Sequence, residues 1–183
     1  MKLLLHSCCA PCSSSVIEQI LLSTQFESIS ILFYNPNIFP QEEYIKRKNE
    51  QIRMLKMLYP NVDMIDIDYD SATFLEAVKG YEKDKEGGAR CKICYELRMK
   101  KTAEIAKENH FDYFGTTLSV SPYKNAELLN DIGLNIESEV GIKYLVANFK
   151  KKNGYLRSIQ LSKEYGLYRQ QYCGCPYSMQ IND

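Results

Sequence analysis

The sequence predicts an α/β fold: a doubly wound, mostly parallel sheet with helices on both faces, in a single domain. Short apolar runs recur along the chain, and longer helical patterns separate most of them. This alternation is typical of βαβ units. The chain has 183 residues, of which 45% are hydrophobic, enough for one core. We therefore expect one domain over residues 1–183 with its functional site at the carboxyl ends of the strands, where open α/β sheets bind ligands.

The elements follow in order from the hydrophobic pattern. Leu3–Leu5 is a buried strand, and Ser15 with Glu18 has the form of a capping box, so we place Cys8, Cys9 and Cys12 on a tight turn before the first helix. Further strands are predicted at residues 29–34, 62–68, 111–117 and 143–148. Further helices are predicted after Pro40 (with Ile45, Ile52, Leu55 and Leu58 as its apolar face), around 74–78, over 91–109, around 128–136 and from about 154 to 165.

Composition limits the classes of function. Lys plus Arg and Asp plus Glu both total 23, so nucleic-acid binding would need a local basic patch. The first residues do not resemble a signal peptide, and no apolar run approaches the roughly 20 residues of a membrane span. We expect a cytoplasmic protein without membrane contact. Reduced cysteines that cluster in such a protein usually indicate metal binding or catalysis.

Five of the seven cysteines form two groups that we expect to converge. Cys8, Cys9 and Cys12 follow the first strand, and Cys91 and Cys94 lie near the start of a helix. Soft thiolates select zinc, copper(I) or iron–sulfur clusters. Four interpretations stay open: small buried hydrophobic residues, a structural zinc site on Cys9, Cys12, Cys91 and Cys94, a 4Fe–4S cluster, and a thiol–disulfide oxidoreductase that uses Cys9-x-x-Cys12.

The remaining cysteines, Cys173 and Cys175, flank Gly174 in the C-terminal tail. The glycine gives the backbone the freedom to bring both sulfurs together, and a ring this small would be a strained, redox-active disulfide. Two further cluster ligands or two free thiols are the alternatives.

Other features allow a functional and a structural interpretation. The first turn has no glycine, which disfavours ATP chemistry there. His6 ends a buried strand as a structural residue or a proton donor. Basic runs could bind phosphate or be solvated surface; they comprise Lys46–Lys48 and Lys150–Lys152 with Arg157 and Arg169. Several tyrosines could stack on unpaired bases or fill space: Tyr34, Tyr155, Tyr168, Tyr172 and Tyr177.

Six motifs, read together, resemble the epoxyqueuosine reductase QueH family. They are Leu-His-Ser-Cys-Cys-Ala-Pro-Cys at 5–12, Phe-Tyr-Asn-Pro-Asn-Ile at 33–38, Cys-Lys-Ile-Cys at 91–94, Thr-Thr-Leu-Ser at 116–119, Asn-Phe-Lys-Lys at 148–151 and Tyr-Arg-Gln-Gln-Tyr-Cys-Gly-Cys at 168–175. The resemblance covers nearly the whole chain. It implies reduction of epoxyqueuosine to queuosine at the wobble position of tRNA, an electron donor that the sequence does not identify, and a fold similar to the adenine-nucleotide hydrolase (HUP) group.

The resemblance also implies roles for individual residues. It implies a 4Fe–4S cluster on Cys8, Cys9, Cys91 and Cys94 and a redox-active disulfide between Cys173 and Cys175. Position 12 also carries aspartate in the family, so Cys12 is a candidate ligand of an additional metal ion, a mononuclear iron. The matched motifs further supply candidate substrate contacts, namely Tyr34, Asn35, Ser119, Lys150, Lys151 and Arg169.

The chemistry of epoxide removal is consistent with this thiol set. Removing the oxygen as water takes two electrons and two protons, and a 4Fe–4S cluster normally passes one electron at a time. A second redox partner is therefore useful, and the breaking C–O bond needs a Lewis acid or proton donor. The alternative class is a zinc-stabilised tRNA-binding module without a redox role.

Overall fold

Five parallel strands form one sheet at the centre of the computed structural model, which describes residues 1–181. The strands are β1 (Lys2–His6), β2 (Ser28–Phe33), β3 (Asp63–Asp66), β4 (Tyr113–Thr116) and β5 (Lys143–Tyr144). Their order across the sheet is β3-β2-β1-β4-β5, and each neighbouring pair is parallel. The predicted doubly wound α/β class is confirmed.

Helices connect the strands and cover both faces of the sheet. They are α1 (Ala10–Ser23), α2 (Gln41–Leu58), α3 (Ser71–Ala77), α4 (Ala89–Glu108), α5 (Ala126–Val140) and α6 (Gly154–Glu164). Short 3-10 turns occupy Thr117–Val120, Lys151–Asn153 and Pro176–Ile181. Within residues 1–181, none of the helices combines the length and the apolar character that crossing a bilayer requires.

Alternating side chains of β1 show why the sheet is buried on both faces. Leu3 and Leu5 pack with α1 and α2 in one apolar cluster, whereas Leu4 packs with α4 and α5 in another. A strand between two layers of helices needs apolar residues at every position, because successive side chains point to opposite faces. The continuous apolar run Leu3–Leu5 therefore indicates a central strand.

The strand order creates a crevice beside β1. The chain moves outward from β1 to β2 and β3, then returns to the other side of β1 with β4 and β5. Connections leave the carboxyl ends of β1 and β4 in opposite directions, which opens a crevice at the usual ligand site of such sheets. The Cys8–Cys12 motif follows β1 directly at this point.

Some element boundaries and one buried position differ from the sequence predictions. Helix α1 begins at Ala10, with Cys9 as its N-cap, so Ser15 is a buried interior residue and the predicted capping box is wrong. Pro11 in the first turn explains the early start, because proline fits the first turn of a helix. Ile45 is exposed rather than part of the buried face of α2. Strand β5 has only two residues.

Candidate metal and redox centre

Three thiols form a compact group at the carboxyl end of β1. The Sγ atoms of Cys8, Cys9 and Cys12 all lie within 4.8 Å of one another. Cys9 caps α1, Cys12 lies in its first turn, and both Cys8 and Cys9 are buried. Because soft thiolates gathered in a dry site favour zinc, copper(I) or iron–sulfur chemistry, this donor set fits a soft metal centre.

A polar network fixes the turn that carries these thiols. The Ser7 and Ser13 hydroxyls donate to the Gln51 side-chain oxygen of α2 at 2.9 and 2.7 Å. The Asn35 amide, which follows β2, donates to the Ser7 carbonyl at 2.8 Å. All four side chains are buried. The network therefore ties the Cys8–Cys12 turn to two other elements and leaves it little freedom.

Hydrogen bonds within the thiol group separate the acidities of its members. Hydrogen bonding with Cys12 and with Cys9 holds the pKa of Cys8 well below its usual range. The hydrogen bond to Cys8 likewise raises the pKa of Cys12. The hydrogen bond with Cys12 acts to lower the pKa of Cys9. The hydrogen bond with Cys8 and burial have the larger combined effect, and they raise the pKa of Cys9 to about 12. Within this group, the hydrogen bonds therefore favour the thiolate form at Cys8 over Cys9 and Cys12.

Cys91 and Cys94 lie in the first turns of α4, at the same edge of the sheet as the Cys8–Cys12 turn. Helix α4 leads into a strand parallel to β1, so it runs antiparallel to the sheet and its N-terminus lies at the carboxyl edge. The Cys91 sulfur accepts the Gly87 N–H at 3.2 Å, and Cys94 is buried. Burial raises the pKa of Cys94 despite the nearby Arg98 charge. Both sulfurs lie outside the 4.8 Å group of Cys8, Cys9 and Cys12.

The buried guanidinium of Arg98 connects the two thiol groups. Its Nε donates to the Cys94 carbonyl at 3.1 Å, and its Nη1 to the Asn35 side-chain oxygen at 3.5 Å. Burial alone would lower its pKa, but the charges of Cys94 and Cys8 outweigh this and raise it. Arg98 therefore supplies a fixed positive charge that stabilises thiolates on both sides.

The tail thiols form a third group, in which one cysteine is activated. Cys173 and Cys175 are free thiols, and the Cys173 sulfur accepts the Cys175 N–H at 3.4 Å and lies 3.3 Å from the Ser178 hydroxyl. The Cys175 thiol hydrogen bond, together with Ser178, lowers the pKa of Cys173 to about 5 against the opposing effect of burial. The pKa of Cys175 is raised by the same pairing. The pair is a thiolate beside a thiol, the arrangement of a reactive dithiol.

Helix α2 and the loop after β2 hold this tail against the body of the protein. Arg47 donates to the carbonyls of Cys173 and Tyr172 at 3.0 and 3.1 Å and pairs with Glu43 at 2.6 Å. Gly174 has φ +109°, and a Cβ there would approach Ile38 to 2.8 Å. Only glycine combines this backbone angle with so close an approach.

The tail also joins the buried cluster that contains Cys94. Cys94 and Cys175 belong to one apolar cluster with Phe74 and Val78, and Cys173 packs against it. Nearby, the Gln170 side chain hydrogen-bonds Cys9 and acts to lower its pKa. The three thiol groups therefore share one region, linked by the tail on one side and by Arg98 on the other.

His6 serves the structure rather than proton transfer. Its Nε2 donates to the Tyr34 carbonyl at 3.0 Å, because a carbonyl can only accept. Its Nδ1 therefore accepts from the Thr116 hydroxyl at 3.2 Å, and that hydroxyl in turn accepts the Leu118 N–H. Burial and the Arg98 charge lower the pKa of His6 to about 4. The one N–H of this neutral imidazole is committed to a backbone carbonyl and the other nitrogen accepts a hydroxyl, which is the arrangement of a structural residue.

The candidate substrate contacts fall into two sets. Tyr34, Asn35 and Ser119 are buried, and the Ser119 hydroxyl accepts the Phe149 N–H at 3.3 Å. Lys151 is exposed, whereas the Lys150 ammonium donates to the Lys124 carbonyl and Arg169 donates to Ser158 and Ser162 of α6. Their assignment as substrate contacts stays a prediction.

Residues that the sequence analysis did not identify do much of the positioning. Both interpretations of the basic run Lys46–Lys48, a phosphate-binding patch and a solvated surface, are wrong for Arg47, because its side chain is only 1% exposed. Gln51 and Arg98 were not singled out. Arg47 and Gln51 do lie three and seven residues after buried Tyr44, the spacing of one helical face, and that signal could have identified them.

A family model described as epoxyqueuosine reductase QueH matches residues 3–181 of the chain. Among curated relatives, the epoxyqueuosine reductase QueH of Acinetobacter baylyi is 44% identical over 179 residues, covering 97% of this chain and 80% of the relative. The Staphylococcus epidermidis protein of the same name is 40% identical, with 97% and 76% covered. That of Thermotoga maritima is 37% identical, with 96% and 89% covered.

The fold also resembles a solved structure. A crystal structure from Methanocaldococcus jannaschii, described as a predicted subunit of tRNA methyltransferase, superposes with a TM-score of 0.57. The match covers 91% of this chain and 89% of that one at 13% sequence identity. At this identity the likeness concerns the fold alone.

Proposed function

The chain belongs to the epoxyqueuosine reductase QueH family, an oxidoreductase family, and from this membership we propose that it reduces epoxyqueuosine to queuosine in tRNA. The observation that carries the proposal is the family match over residues 3–181, because it spans all three thiol groups. We further propose that residues 1–183 act as one domain, with the reaction at the carboxyl edge of the sheet.

The tail dithiol matches the stoichiometry of the reaction. An epoxide gains two electrons and two protons, loses its oxygen as water, and leaves a carbon–carbon double bond. Two thiols that form one disulfide release two electrons and two protons. Oxidation of Cys173 and Cys175 would therefore balance one turnover, and an external electron donor would then reduce the disulfide. The free thiols and the lowered pKa of Cys173 support this role.

The donor set of the crevice suits an iron–sulfur centre. We assign Cys8, Cys9, Cys91 and Cys94 as ligands of a 4Fe–4S cluster, which four thiolates hold, and Cys12 as the ligand of an additional mononuclear iron. When bound, the cluster would allow the two electrons of the dithiol to pass one at a time, and the additional iron would supply a Lewis acid for the epoxide oxygen. The close approach of Cys8, Cys9 and Cys12, the burial of Cys94 and the Gly87 N–H on Cys91 support this donor set.

The chain's own residues have separate tasks around this centre. Arg98 would offset the negative charge of the thiolates, because its guanidinium lies between Cys94 and Asn35. Ser7, Ser13 and Gln51 would hold the thiol turn in place. Arg47 would hold the Cys173 backbone. Buried Phe74 and Val78 would keep water from the dithiol, which protects a reactive thiolate from side reactions.

The substrate would be tRNA that carries epoxyqueuosine at the wobble position, and such a substrate implies work in the cytoplasm. We retain Tyr34, Asn35, Ser119, Lys150, Lys151 and Arg169 as candidate substrate contacts. With zero formal net charge, the chain would hold RNA through a local cationic surface rather than its overall field.

The proposal is tested by anaerobic turnover of epoxyqueuosine-containing tRNA with a chemical reductant, followed by nucleoside analysis. The native protein should convert epoxyqueuosine to queuosine. Cys173→Ser should abolish turnover and leave the visible absorption of the cluster unchanged, because the tail thiols are separate from its ligands. Full activity of Cys173→Ser would reject the dithiol role, and absence of conversion by the native protein would reject the reductase function.

A matched pair of variants tests the ligand assignment. Cys94→Ser should remove the visible absorption, because one cluster ligand is lost. Cys12→Ser should retain that absorption and lose turnover, because Cys12 serves only the additional iron. The reverse result would favour a centre on Cys8, Cys9 and Cys12, the three thiols that lie closest together.

A further inference from the structure

A second cleft opens at the carboxyl edge of β4, outside the thiol groups. Its volume is about 440 Å³, and it lies between the turn before α5 and the segment after β5. The lining includes Tyr123, Lys124, Glu127, Asn148 and Lys150. Tyr123, Lys124 and Glu127 have no part in the thiol centre or among the candidate substrate contacts.

Tyr123 presents an aromatic ring to solvent from a braced turn. It is 81% exposed, the most exposed large hydrophobic residue among the described side chains. Its N–H donates to the Ser121 hydroxyl at 3.3 Å, and Asn125 caps α5 through the N–H groups of Glu127 and Leu128. An exposed ring on a fixed backbone loses little conformational freedom when it stacks on a ligand.

Cationic groups surround this ring. Lys124 and Lys150 line the cleft, and the Lys150 ammonium donates to the Lys124 carbonyl, so the two segments are joined. Lys151 and Lys152 follow on the exposed surface. Glu127 supplies the one carboxylate of the lining, so lysines outnumber acids in and beside the cleft.

The cleft opens at the same edge of the sheet as the thiol centre. His6 of β1 and Thr116 of β4 are register partners on neighbouring parallel strands. Cys8 follows the end of β1, and the turn that carries Tyr123 follows the short 3-10 turn at the end of β4. A polymer that places one nucleotide at the thiols would pass across this cleft with a neighbouring nucleotide.

We propose that Tyr123 stacks on an unpaired base of the substrate RNA next to the reacting nucleotide, while Lys150 and Lys151 contact its backbone. Single-stranded RNA is recognised by this combination of aromatic stacking and cationic groups, because every base has a π-face. The inference rests on the proposed function for its substrate. It adds a base platform at Tyr123 beside the reacting nucleotide.

Direct binding tests the platform without turnover. The probe is a fluorescently labelled, unmodified tRNA anticodon stem–loop, and its Kd is measured by anisotropy with the anaerobically purified protein. Tyr123→Ala should raise the Kd about 5- to 150-fold, the range expected for one lost base stack. Tyr123→Phe should bind like the native protein, because it keeps the ring. A labelled RNA duplex without a loop should bind more weakly and respond to neither variant.

Leu22→Ala is the matched control, because Leu22 is 78% exposed near the C-terminus of α1, at the opposite edge of the sheet. It should leave the Kd unchanged. Equal affinity of Tyr123→Ala and native protein would overturn the inference, as would equal losses for Tyr123→Phe and Tyr123→Ala. Native protein that binds the stem–loop through Tyr123 but converts no epoxyqueuosine would instead refute the proposed function and leave the base platform standing.

Discussion

The Arg47 guanidinium joins segments that are distant in sequence. It is almost completely buried, pairs with Glu43 one turn earlier on α2, and donates to two carbonyls of the C-terminal tail. It also lies over the Tyr172 ring, 5.1 Å from the ring centroid. A buried cation is tolerated only when its N–H donors have partners. Because the tail carbonyls are among the partners of Arg47, these contacts fix the position of the tail.

Arg47→Met should lower the free energy of unfolding by about 3 kcal/mol, because it leaves the Glu43 carboxylate and two tail carbonyls without their cation. Arg53→Met is the control, because Arg53 contacts the tail carbonyls of Tyr165 and Gly166 from the surface, and it should change stability by less than about 1 kcal/mol. Urea denaturation measures both. Equal losses would mean that the tail is not held through the buried guanidinium.

Cys173 should be the more reactive of the tail thiols. Its pKa of about 5 makes it a thiolate at neutral pH, so its alkylation rate should rise through pH 5 and level off above that. Cys175→Ala removes the main hydrogen-bond donor and should shift the midpoint of the Cys173 rate upward. Iodoacetamide labelling, read by peptide mass spectrometry, gives these rates. A Cys173 rate that still climbs above pH 8 would contradict the assignment.

Residue roles were the least predictable part of the sequence. The cysteine motifs can be recognised in the sequence because adjacent cysteines at the end of a strand are rare. Arg47, Gln51 and Arg98 are polar residues on helices, and such residues usually face solvent. Their burial depends on partners 38 to 126 positions away, such as Cys173 for Arg47 and Ser13 for Gln51, which local periodicity does not encode.

At the scale of elements, ion pairs and close contacts between helices and strands set the layer geometry. Glu18 of α1 accepts from Arg157 of α6 at 2.8 and 2.7 Å, which ties the first helix to the last. The Arg157 hydrogen bond lowers the pKa of Glu18. A carboxyl whose pKa is lowered on folding adds stability above its unfolded pKa and loses it as the pH falls through the folded value.

Glu18→Gln should therefore reduce stability at pH 7 by about 0.5 kcal/mol, a small value because the pair is partly exposed. The difference from the native protein should shrink as the pH falls below the unfolded pKa of glutamate, and it should vanish once the pH is below the lowered pKa of folded Glu18, where the native carboxyl is also protonated. Urea titrations at several pH values measure it. A difference that persists below that lowered pKa would show that the loss comes from something other than the charge of Glu18.

Gly133 in α5 offers a test in which local propensity and packing predict opposite signs. Alanine favours a helix over glycine by about 1 kcal/mol, so propensity alone predicts that Gly133→Ala stabilises. A Cβ at this position would overlap the Tyr144 ring of β5, so packing predicts a net loss of about 1–3 kcal/mol. Asn135→Ala, exposed on the same helix, should be neutral or slightly stabilising. Thermal melting that shows Gly133→Ala stabilised would contradict this packing.

For the whole molecule, the sequence predicted the fold class and the edge of the sheet at which the candidate thiol site lies. Alternating apolar runs and helices give the parallel sheet, and the rule that ligands bind at the carboxyl edge places Cys8 and Cys91 on one side. The sequence did not give the strand order or the path of the tail. The tail path follows from Arg47 and from Gly174 against Ile38, contacts that only the folded chain defines.

The central claim is that thiols from distant segments hold an iron–sulfur cluster at this edge. Iron and acid-labile sulfide, measured per chain in protein purified without oxygen, test it most directly. The account predicts a brown protein with about four iron and four sulfide per chain, plus up to one further iron on Cys12. A colourless protein with about one zinc and no sulfide would contradict it and would indicate a structural four-cysteine site instead.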